Sequence, residues 1–504
     1  MAKEKTKETK SAGQKLADKL FFKTKNCWED VDAKTDKEIE GFAASYKKFL
    51  DMGKTERECV ETAVEMLEKN GFVNIDKLKE KKFKPGMKIY QNIRGKSILA
   101  AIIGKKAAVE GCNILGAHVD SPRLDLKQNP LYEDSEFALL DTHYYGGIKK
   151  YQWTTIPLSM HGVFVDENGK KTTIRIGEDP GDPVFTITDL LPHLAREQMQ
   201  KKAIEAVEGE DLDILAGSRP YVGKDSKDTK DVKEKVKLSI LALLNEKYGV
   251  TERDFTSAEI EFVPAFKASD VGLDRSMIGA YGHDDRCCAY PALMALIALA
   301  GGKSSAANSA AGSGAKSGTG AAAVPEKTVV CYLSDKEETG SAGNTGARST
   351  NFENFFALLC GGNEMDLRLC FSKSAMLSAD VSAAFDPTYA AVFDKRNASY
   401  FGKGMVLEKY TGSGGKYGAS DANAEFCAKV QAIMNRNKVQ WQVGELGKVD
   451  KGGGGTIALY AANLGMEVLD CGVPVLSMHS PFEIISKIDL YTTYRGYVAF
   501  LQEA

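Results

Sequence analysis

The most constraining feature of this chain is a set of five short motifs rich in aspartate, glutamate and histidine, four of which follow an apolar run. Buried parallel strands read as such runs, and ligands collect at the carboxyl ends of strands in open α/β sheets. The pattern therefore predicts an α/β fold that brings the motifs to one sheet edge. The motifs are residues 116–120 (Gly-Ala-His-Val-Asp), 283–286 (His-Asp-Asp-Arg), 335–340 (Asp-Lys-Glu-Glu-Thr-Gly), 378–380 (Ser-Ala-Asp) and 478–480 (Met-His-Ser), and the apolar runs are 114–115, 329–333, 375–377 and 473–476.

The residue types in these motifs are those that bind divalent metal ions. A pair of such ions needs carboxylates and imidazoles that arrive together, with one further carboxylate left free to act as a base. His118 and His479 supply imidazoles, and every motif except the last contains at least one aspartate or glutamate. The combination is typical of a two-metal hydrolase.

Glu337 and Glu338 form the most informative pair. Adjacent like charges repel each other, and such a pair directly after a buried strand is costly unless a cation neutralises it. Successive side chains also point apart, so one glutamate can bind metal while the other faces the attacking water. The residues alone do not say which glutamate has which role.

Each motif taken alone also has an ordinary structural explanation. His118 and Asp120 leave a strand end on the same face and could hold a turn, or Asp120 could orient an imidazole ligand without binding metal itself. Asp284 and Asp285 precede an apolar helix, whose N-terminus favours carboxylates. A single histidine after a strand is more often structural than a ligand. The presence of all five motifs in one chain favours the metal interpretation.

Size and composition limit the classes of protein that this chain can belong to. At 504 residues it exceeds what one core usually supports, which predicts two domains. A net charge of −3 gives no electrostatic reason to expect nucleic acid or an anionic membrane as a partner. No run of 18 apolar residues is present, and residues 1–19 lack the apolar core of a signal peptide. Ten cysteines without a Cys-x-x-Cys motif indicate a reducing cytoplasm.

The hydrophobic and charge patterns divide the chain into three parts. Helical periodicity at 42–50 is followed by a capping box at 55–58, and strand-like patterns begin at about residue 98. Between Asp120 and Asp284 the chain has short β-like runs, a charged stretch at 224–237 and no ligand motif. We therefore predict an inserted second domain at 123–273, flanked by the two parts of a catalytic domain at 1–122 and 274–504.

Two further segments are conspicuous in composition but contain no candidate catalytic residue. Residues 301–323 contain only small and polar residue types, a composition that predicts a flexible surface loop. They follow an apolar helix predicted at 288–300, in which Pro291 is acceptable only in the first turn. The glycines at 452–455 lack the Gly-Lys-Ser/Thr of a phosphate loop, so a close backbone approach to substrate or to the metal shell is the better interpretation. His143, His161 and His283 are interpreted as structural.

From about residue 113 to the C-terminus, the chain resembles the M18 family of metalloaminopeptidases. The resemblance is carried by the five motifs together with Tyr-Tyr-Gly-Gly at 144–147, Leu-Pro-His-Leu-Ala at 191–195 and Gly-Gly-Gly-Gly-Thr-Ile at 452–457. It implies a zinc-peptidase-like catalytic domain, with a mixed β-sheet flanked by helices, and an inserted mainly-β dimerisation domain. Family members form dimers that assemble into dodecamers, so a homodimer within a dodecamer is expected.

The resemblance also implies the roles of individual residues. One metal ion would be bound by His118, Asp284 and Asp380, and the other by Asp284, Glu338 and His479. Glu337 would be the general base for a metal-bridging hydroxide, and Asp120 would support catalysis by orienting a ligand. His193 resembles a family histidine that reaches the active site of a neighbouring subunit. Zinc is the expected ion, with cobalt and manganese as alternatives because mixed carboxylate and imidazole sites accept all three.

The predicted function is hydrolysis of N-terminal residues from peptides. The alternatives are a related dinuclear zinc deacylase or carboxypeptidase, and a non-catalytic scaffold of the same fold. One departure from the family is the segment after Asp380, where many members carry histidines and this chain reads Val-Ser-Ala-Ala-Phe-Asp-Pro. The preferred N-terminal residue stays open, since Lys416 could pair with an acidic side chain but could equally be a solvated lysine.

Overall fold

The computed structural model describes residues 10–223, 230–301 and 323–504. The predicted loop at 301–323 falls almost wholly outside the described residues, as does the first part of the charged stretch at 224–237. The described chain forms three β-sheets and ten α-helices, which confirms the predicted α/β class. The helices are α1 (Ala12–Leu20), α2 (Ala33–Met52), α3 (Glu56–Lys69), α4 (Lys235–Tyr248), α5 (His283–Leu299), α6 (Asn351–Leu359), α7 (Glu364–Lys373), α8 (Ala424–Arg436), α9 (Ala458–Asn463) and α10 (Lys487–Glu503).

A nine-stranded mixed sheet forms the centre of the molecule. In spatial order its strands are β1 (Val73–Asn74), β2 (Lys88–Ile93), β3 (Ser97–Ile102), β13 (Thr328–Ser334), β4 (Cys112–His118), β14 (Ala375–Ala379), β18 (Glu467–Gly472), β16 (Met405–Glu408) and β17 (Trp441–Val443). Strands β13, β4, β14 and β18 are mutually parallel. The strands begin earlier than the predicted residue 98, because β1 and β2 precede it.

Both faces of this sheet are covered, which explains the continuous apolar runs. Leu115 and Leu333 pack into a core with residues of α2, α5 and α10, whereas Ile114 and Met376 pack into a second core with residues of α6 and α7. Neighbouring residues of one strand thus lie in different cores. Register is strongly specified in such a sheet, since a shift of one residue would exchange the two faces.

A second, six-stranded sheet is antiparallel throughout and has its own core, which includes Trp153, Phe164 and Phe262. In spatial order it contains β8 (Lys171–Ile176), β7 (Leu158–Val165), β10 (Glu259–Pro264), β5 (Arg123–Asp134), β6 (Phe137–Tyr145) and β9 (Ile214–Gly217). All six strands lie within residues 123–273. We retain the division into 1–122, 123–273 and 274–504 as a proposal.

A third sheet of five strands joins distant parts of the chain. It consists of β11 (Ser269–Val271), β12 (Met277–Ala280), β20 (Glu483–Ser486), β19 (Pro474–Leu476) and β15 (Ser382–Ala383). The apolar run at 473–476 was expected among the parallel strands of the main sheet, but β19 pairs with β15 and β20 instead. Hydrophobicity shows that such a run is buried and does not encode which strand pairs with it.

The helices agree with their local signals, with one exception. Thr55 caps α3 and forms the predicted capping box with Glu58. The expectation that Pro291 lies in the first turn is wrong, because regular helical backbone angles begin at Arg286, after the non-helical Asp284 and Asp285, and Pro291 lies beyond the first turn from there. Packing on all sides of this buried helix offsets the hydrogen bond that a proline cannot donate. Among the described residues, no helix is long and apolar enough to cross a membrane.

His161 of β7 joins the six-stranded sheet to the N-terminal helices. Its Nδ1 lies 2.8 Å from Glu58 Oε1, and its Nε2 lies 3.3 Å from Glu178 Oε1. Burial lowers the pKa of His161, but the two carboxylates outweigh burial and raise this pKa above its ordinary value. The two acids therefore favour the protonated form of this imidazole, and its contacts agree with its structural interpretation.

This arrangement predicts a pH-dependent contribution to stability. Because the folded pKa of His161 is raised, the contribution is complete below the unfolded value of about 6.5 and is lost as pH rises through the folded pKa. We expect His161→Gln to lower the free energy of unfolding by about 3 kcal/mol at pH 6 and by less at pH 9. Urea denaturation at both pH values measures this difference, with His143→Gln, an exposed site on the same sheet, as control. Equal losses at both pH values would contradict the prediction.

Candidate active site

Three neighbouring strand ends deliver most of the predicted site residues. His118 is the last residue of β4, and Ser334 opposite it is the last residue of β13. Glu337 and Glu338 follow β13 by a few residues, and Asp380 directly follows β14. Since β13, β4 and β14 are parallel neighbours, their carboxyl ends meet at one edge of the sheet. The predicted convergence of these motifs is confirmed.

The Asp284 carboxylate lies between the two predicted histidines. Its Oδ1 is 3.2 Å from His118 Nε2, and its Oδ2 is 3.1 Å from His479 Nε2. One oxygen therefore faces each imidazole. A carboxylate that bridges two metal ions needs this division of its oxygens.

Asp284 is held by the irregular start of α5. Gly282 has a left-handed φ of 76°, and a Cβ there would lie 2.0 Å from Arg286 Nη1, so a larger residue would be strained in its backbone and would displace the buried Arg286 side chain. His283 Nε2 lies 3.1 Å from the Ile278 carbonyl oxygen, and Nδ1 lies 2.8 Å from the Tyr46 hydroxyl. Burial lowers the pKa of His283 to about 3, so this imidazole is neutral and structural, as predicted.

Three further carboxylates surround the two imidazoles. Asp380 Oδ1 and Glu337 Oε2 each lie 3.9 Å from His118 Nε2. Glu338 Oε2 lies 3.4 Å from His479 Nε2. The potential ligand atoms of His118, Glu337 and Asp380 lie within 4.8 Å of one another, as do those of His118, Asp284 and Glu338. The structure thus brings together all six residues that were predicted to bind metal or to act as base.

The electrostatics of the cluster favour a bound cation. Burial raises the pKa of Glu338 and Asp380 well above the usual carboxyl range, and the charge of Asp284 adds to both shifts. Glu338 Oε1 is buried without a hydrogen-bond partner. In the described part of the chain, no lysine or arginine pairs with any of the four carboxylates. The donor set therefore fits divalent metal ions, which would supply the missing positive charge.

Both histidines present Nε2 to the cluster because Nδ1 is occupied elsewhere. His118 Nδ1 lies 3.1 Å from the backbone oxygen of Asp120, and His479 Nδ1 lies 2.9 Å from the Gly147 carbonyl oxygen. Donation from Nδ1–H fixes the tautomer and leaves Nε2 with a free lone pair. Both imidazoles are thus oriented as metal ligands.

The Asp120 side chain holds the backbone that carries the two glutamates. Its Oδ1 accepts a hydrogen bond from the Glu337 N–H (3.1 Å), and its Oδ2 accepts one from the Glu338 N–H (3.2 Å). The turn itself is the 3-10 segment Glu337–Thr339, flanked by Lys336 and Gly340 with left-handed φ angles. Asp120 thus contacts the loop of the glutamates as well as the His118 ring, a contact that the sequence did not predict.

Two residues at the site, Glu483 and Tyr145, were given no role by the sequence analysis. Glu483 accepts hydrogen bonds from the N–H groups of Asp284 (3.1 Å) and His479 (2.7 Å). The Tyr145 hydroxyl donates to Asp120 Oδ2 (2.8 Å). Asp285 was expected either to cap the helix or to form hydrogen bonds around the metal ligands, and its Oδ2 accepts the His118 N–H (3.2 Å). A carboxylate that accepts hydrogen bonds from backbone N–H groups has no characteristic position in a sequence motif. The sequence therefore contained no pattern that pointed to Glu483.

Two other residues lie apart from the cluster in the single chain. His193 is exposed, and no hydrogen bond or ion pair is found for it among the described residues. Lys416 lies 3.0 Å from Asp421 and 3.8 Å from the centre of the Tyr410 ring. Its charge is therefore already paired with an acidic residue of the same chain.

A family model, a related sequence and a solved structure that resemble this chain all belong to the same family. The family model described as aminopeptidase I zinc metalloprotease (M18) matches residues 49–501. A probable M18 family aminopeptidase 1 of Clostridium acetobutylicum is 50% identical over 488 residues, covering 96% of this chain and 99% of that protein. The crystal structure of an M18 family aminopeptidase from Thermotoga maritima has a TM-score of 0.86 at 43% identity, covering 96% of this chain and 100% of that one.

A more distant structure, that of the S. cerevisiae mApe1 dodecamer, has a TM-score of 0.70 at 21% identity and covers 92% of this chain and 96% of that one. At this identity the likeness concerns the fold alone.

The charge imbalance predicts that metal ions stabilise the folded chain. We expect Zn²⁺ to raise the Tm of the metal-free protein. An ion that binds only the folded state adds about 2.7 kcal/mol to the free energy of unfolding when its free concentration is 100 times its Kd. Asp284→Asn should remove most of this increase. Asp213→Asn, a carboxylate of the six-stranded sheet, is the control and should keep it. Differential scanning fluorimetry measures the effect, and an equal increase in both variants would contradict it.

Proposed function

The chain belongs to the M18 family of aminopeptidase I zinc metalloproteases and is a metallo-exopeptidase, and from this premise we propose that its active site works with two divalent metal ions. His118, Asp284 and Asp380 would hold one ion, and Asp284, Glu338 and His479 the other. The observation that carries the proposal is the position of Asp284, with one carboxylate oxygen facing each histidine at 3.2 and 3.1 Å. Zinc is the proposed ion, with cobalt and manganese as alternatives.

Bound ions supply Lewis-acid polarisation of the scissile carbonyl and lower the pKa of a nucleophilic water. Glu337 is the proposed general base. Burial raises the pKa of Glu337 to about 7, and a base with a pKa near the working pH transfers protons efficiently. Glu337 would accept the proton of the attacking water and deliver it to the leaving amine. It is also more exposed than Glu338, whose side chain is only 3% accessible, which supports the division of roles.

Asp120 is proposed to act by positioning the reacting groups. It faces His118 Nδ1 and accepts the N–H groups of both glutamates. These contacts keep the base and a metal ligand at a fixed separation. The substrates are proposed to be peptides with a free N-terminus. The deacylase, carboxypeptidase and scaffold alternatives lose support, because the relatives that match nearly the whole chain are named aminopeptidases.

We propose that the chain self-associates as a homodimer within a dodecamer. Between residues 190 and 204 of the proposed inserted domain, several apolar side chains are exposed in the single chain. They are Leu190, Leu191, Leu194, Met199 and Ile204. Burial of such side chains in a subunit contact would remove apolar surface from water. The mApe1 structure, which shares this fold, is named as a dodecamer. A cytoplasmic location is also proposed, since all ten cysteines are free thiols.

Substitution of each glutamate tests the division of roles. Glu337→Gln should keep near-normal metal content and lose about 10²–10⁴-fold in kcat, the usual contribution of a general base. Glu338→Gln should instead reduce metal occupancy. Metal analysis after gel filtration and hydrolysis of aminoacyl substrates give the two readouts. Glu326→Gln, on the surface before β13, is the control. The opposite metal pattern would reverse the assignment.

Mixing of subunits tests whether a neighbouring subunit completes the site. A donor at His193 that stabilises the oxyanion would contribute about 3–4 kcal/mol to the transition state. We expect His193→Ala and Glu337→Gln proteins to be nearly inactive alone and to regain activity after exchange of subunits. A mixed dimer contains one site that pairs an intact Glu337 with a neighbour's intact His193.

Two labels on the subunits report the exchange independently of activity. If exchange occurs and no activity returns, or if His193→Ala alone is fully active, the shared site does not exist.

A further inference from the structure

One short segment of the six-stranded sheet touches the proposed metal site at several points. Residues 145–147 comprise the last residue of β6 and the two glycines after it. The Tyr145 hydroxyl reaches Asp120, the Gly147 carbonyl reaches His479, and Gly146 lies against Glu338. None of these three residues belongs to the proposed ligand set.

The Tyr145 hydroxyl completes the hydrogen bonding of Asp120. The two carboxylate oxygens already accept the Glu337 and Glu338 N–H groups, and Tyr145 donates a further bond of 2.8 Å to Oδ2. Asp120 Oδ1 also lies 3.4 Å from His118 Nδ1. A carboxylate held from three directions has a fixed rotation, and these bonds hold Asp120 as a whole, including its backbone oxygen, which accepts the His118 Nδ1–H at 3.1 Å.

The Tyr145 ring is itself held rigidly. Arg123, its partner across β5 and β6, places its guanidinium carbon 3.9 Å from the centre of the ring. Arg123 is buried and pairs with Asp125 (2.7 Å), Glu261 (3.3 Å) and Glu56 (3.5 Å). The position of the hydroxyl is thus determined by strands β5 and β10 and by α3.

The two glycines act on the other side of the site. The Gly147 carbonyl accepts the His479 Nδ1–H at 2.9 Å. Gly146 has a left-handed φ of 75°, and a Cβ there would lie 3.3 Å from Glu338 Oε2 and 3.4 Å from Glu338 Cβ. The backbone can approach this closely because glycine has no side chain.

We propose that residues 145–147 position both histidines of the metal site, with Tyr145 as a positioning residue that acts on His118 through Asp120. The inference rests on the proposed two-metal function and extends it to the inserted sheet. Each histidine has its Nδ1 directed by this segment, His118 through Asp120 and His479 through the Gly147 carbonyl. The segment therefore sets the direction in which each Nε2 points.

Tyr145→Phe is the sharpest test, because it removes the hydroxyl and keeps the ring on which Arg123 stacks. We expect zinc affinity, measured by competition with a chromogenic chelator, to fall about 10- to 100-fold, as for other residues that support a metal ligand. kcat should fall by a similar factor with KM unchanged, and the visible spectrum of the Co²⁺-loaded protein should shift. Tyr132→Phe removes a hydroxyl-to-carboxylate bond of the same sheet away from the site and should leave all three readouts unchanged.

A second pair of variants tests the glycine side independently. Gly146→Ala and Gly169→Ala both place a side chain at a left-handed φ, 75° and 79°, but a Cβ at Gly169 meets nothing within 4 Å. We expect only Gly146→Ala to weaken zinc binding by about 10-fold or more, whereas both should lower Tm similarly.

The outcomes distinguish a failure of the positioning role from a failure of the proposed two-metal function. If the unmodified protein binds fewer than two ions, the two-metal function fails. If it binds two ions and hydrolyses aminoacyl substrates, while Tyr145→Phe retains its zinc affinity, kcat and Co²⁺ spectrum, the positioning role is overturned.

Discussion

The active site depends on how firmly one carboxylate is held. Asp284 has a partner at every polar group: its N–H donates to Glu483, its carbonyl accepts from the Ser121 hydroxyl at 2.7 Å, and its two carboxylate oxygens face His118 and His479. Such a residue has little freedom to rotate. Asp284 would therefore hold its two carboxylate oxygens toward both proposed metal ions.

The second requirement is positive charge, which no lysine or arginine among the described residues supplies to the carboxylates of the site. Two buried arginines are already engaged, since Arg123 pairs with three acids and Arg286 donates to backbone carbonyls. Burying four carboxyl groups together without a cation is costly. The lack of a resident counter-charge is consistent with a site that is complete only when it holds metal.

The sequence predicted those site residues that follow a recognisable apolar run. His118, Glu337, Glu338 and Asp380 follow buried apolar runs, and their strand ends meet as expected. The run before His479 was placed in the wrong sheet, because apolar character does not identify a pairing partner.

The residues that direct the ligands could not be predicted in this way. Glu483 contacts Asp284 and Tyr145 contacts Asp120 through hydrogen bonds between groups that are distant in the chain, and no spacing rule describes such contacts. The contacts of Tyr145 have a consequence for how far the molecule can be divided into modules. A shortened chain that joined residue 122 to residue 274 would retain every proposed metal ligand and the proposed base. It would lose the Tyr145 hydroxyl and the Gly147 carbonyl, so ligands and supports would be separated. The six-stranded sheet lies within the proposed insertion at 123–273, but through residues 145–147 it contacts the proposed metal site directly.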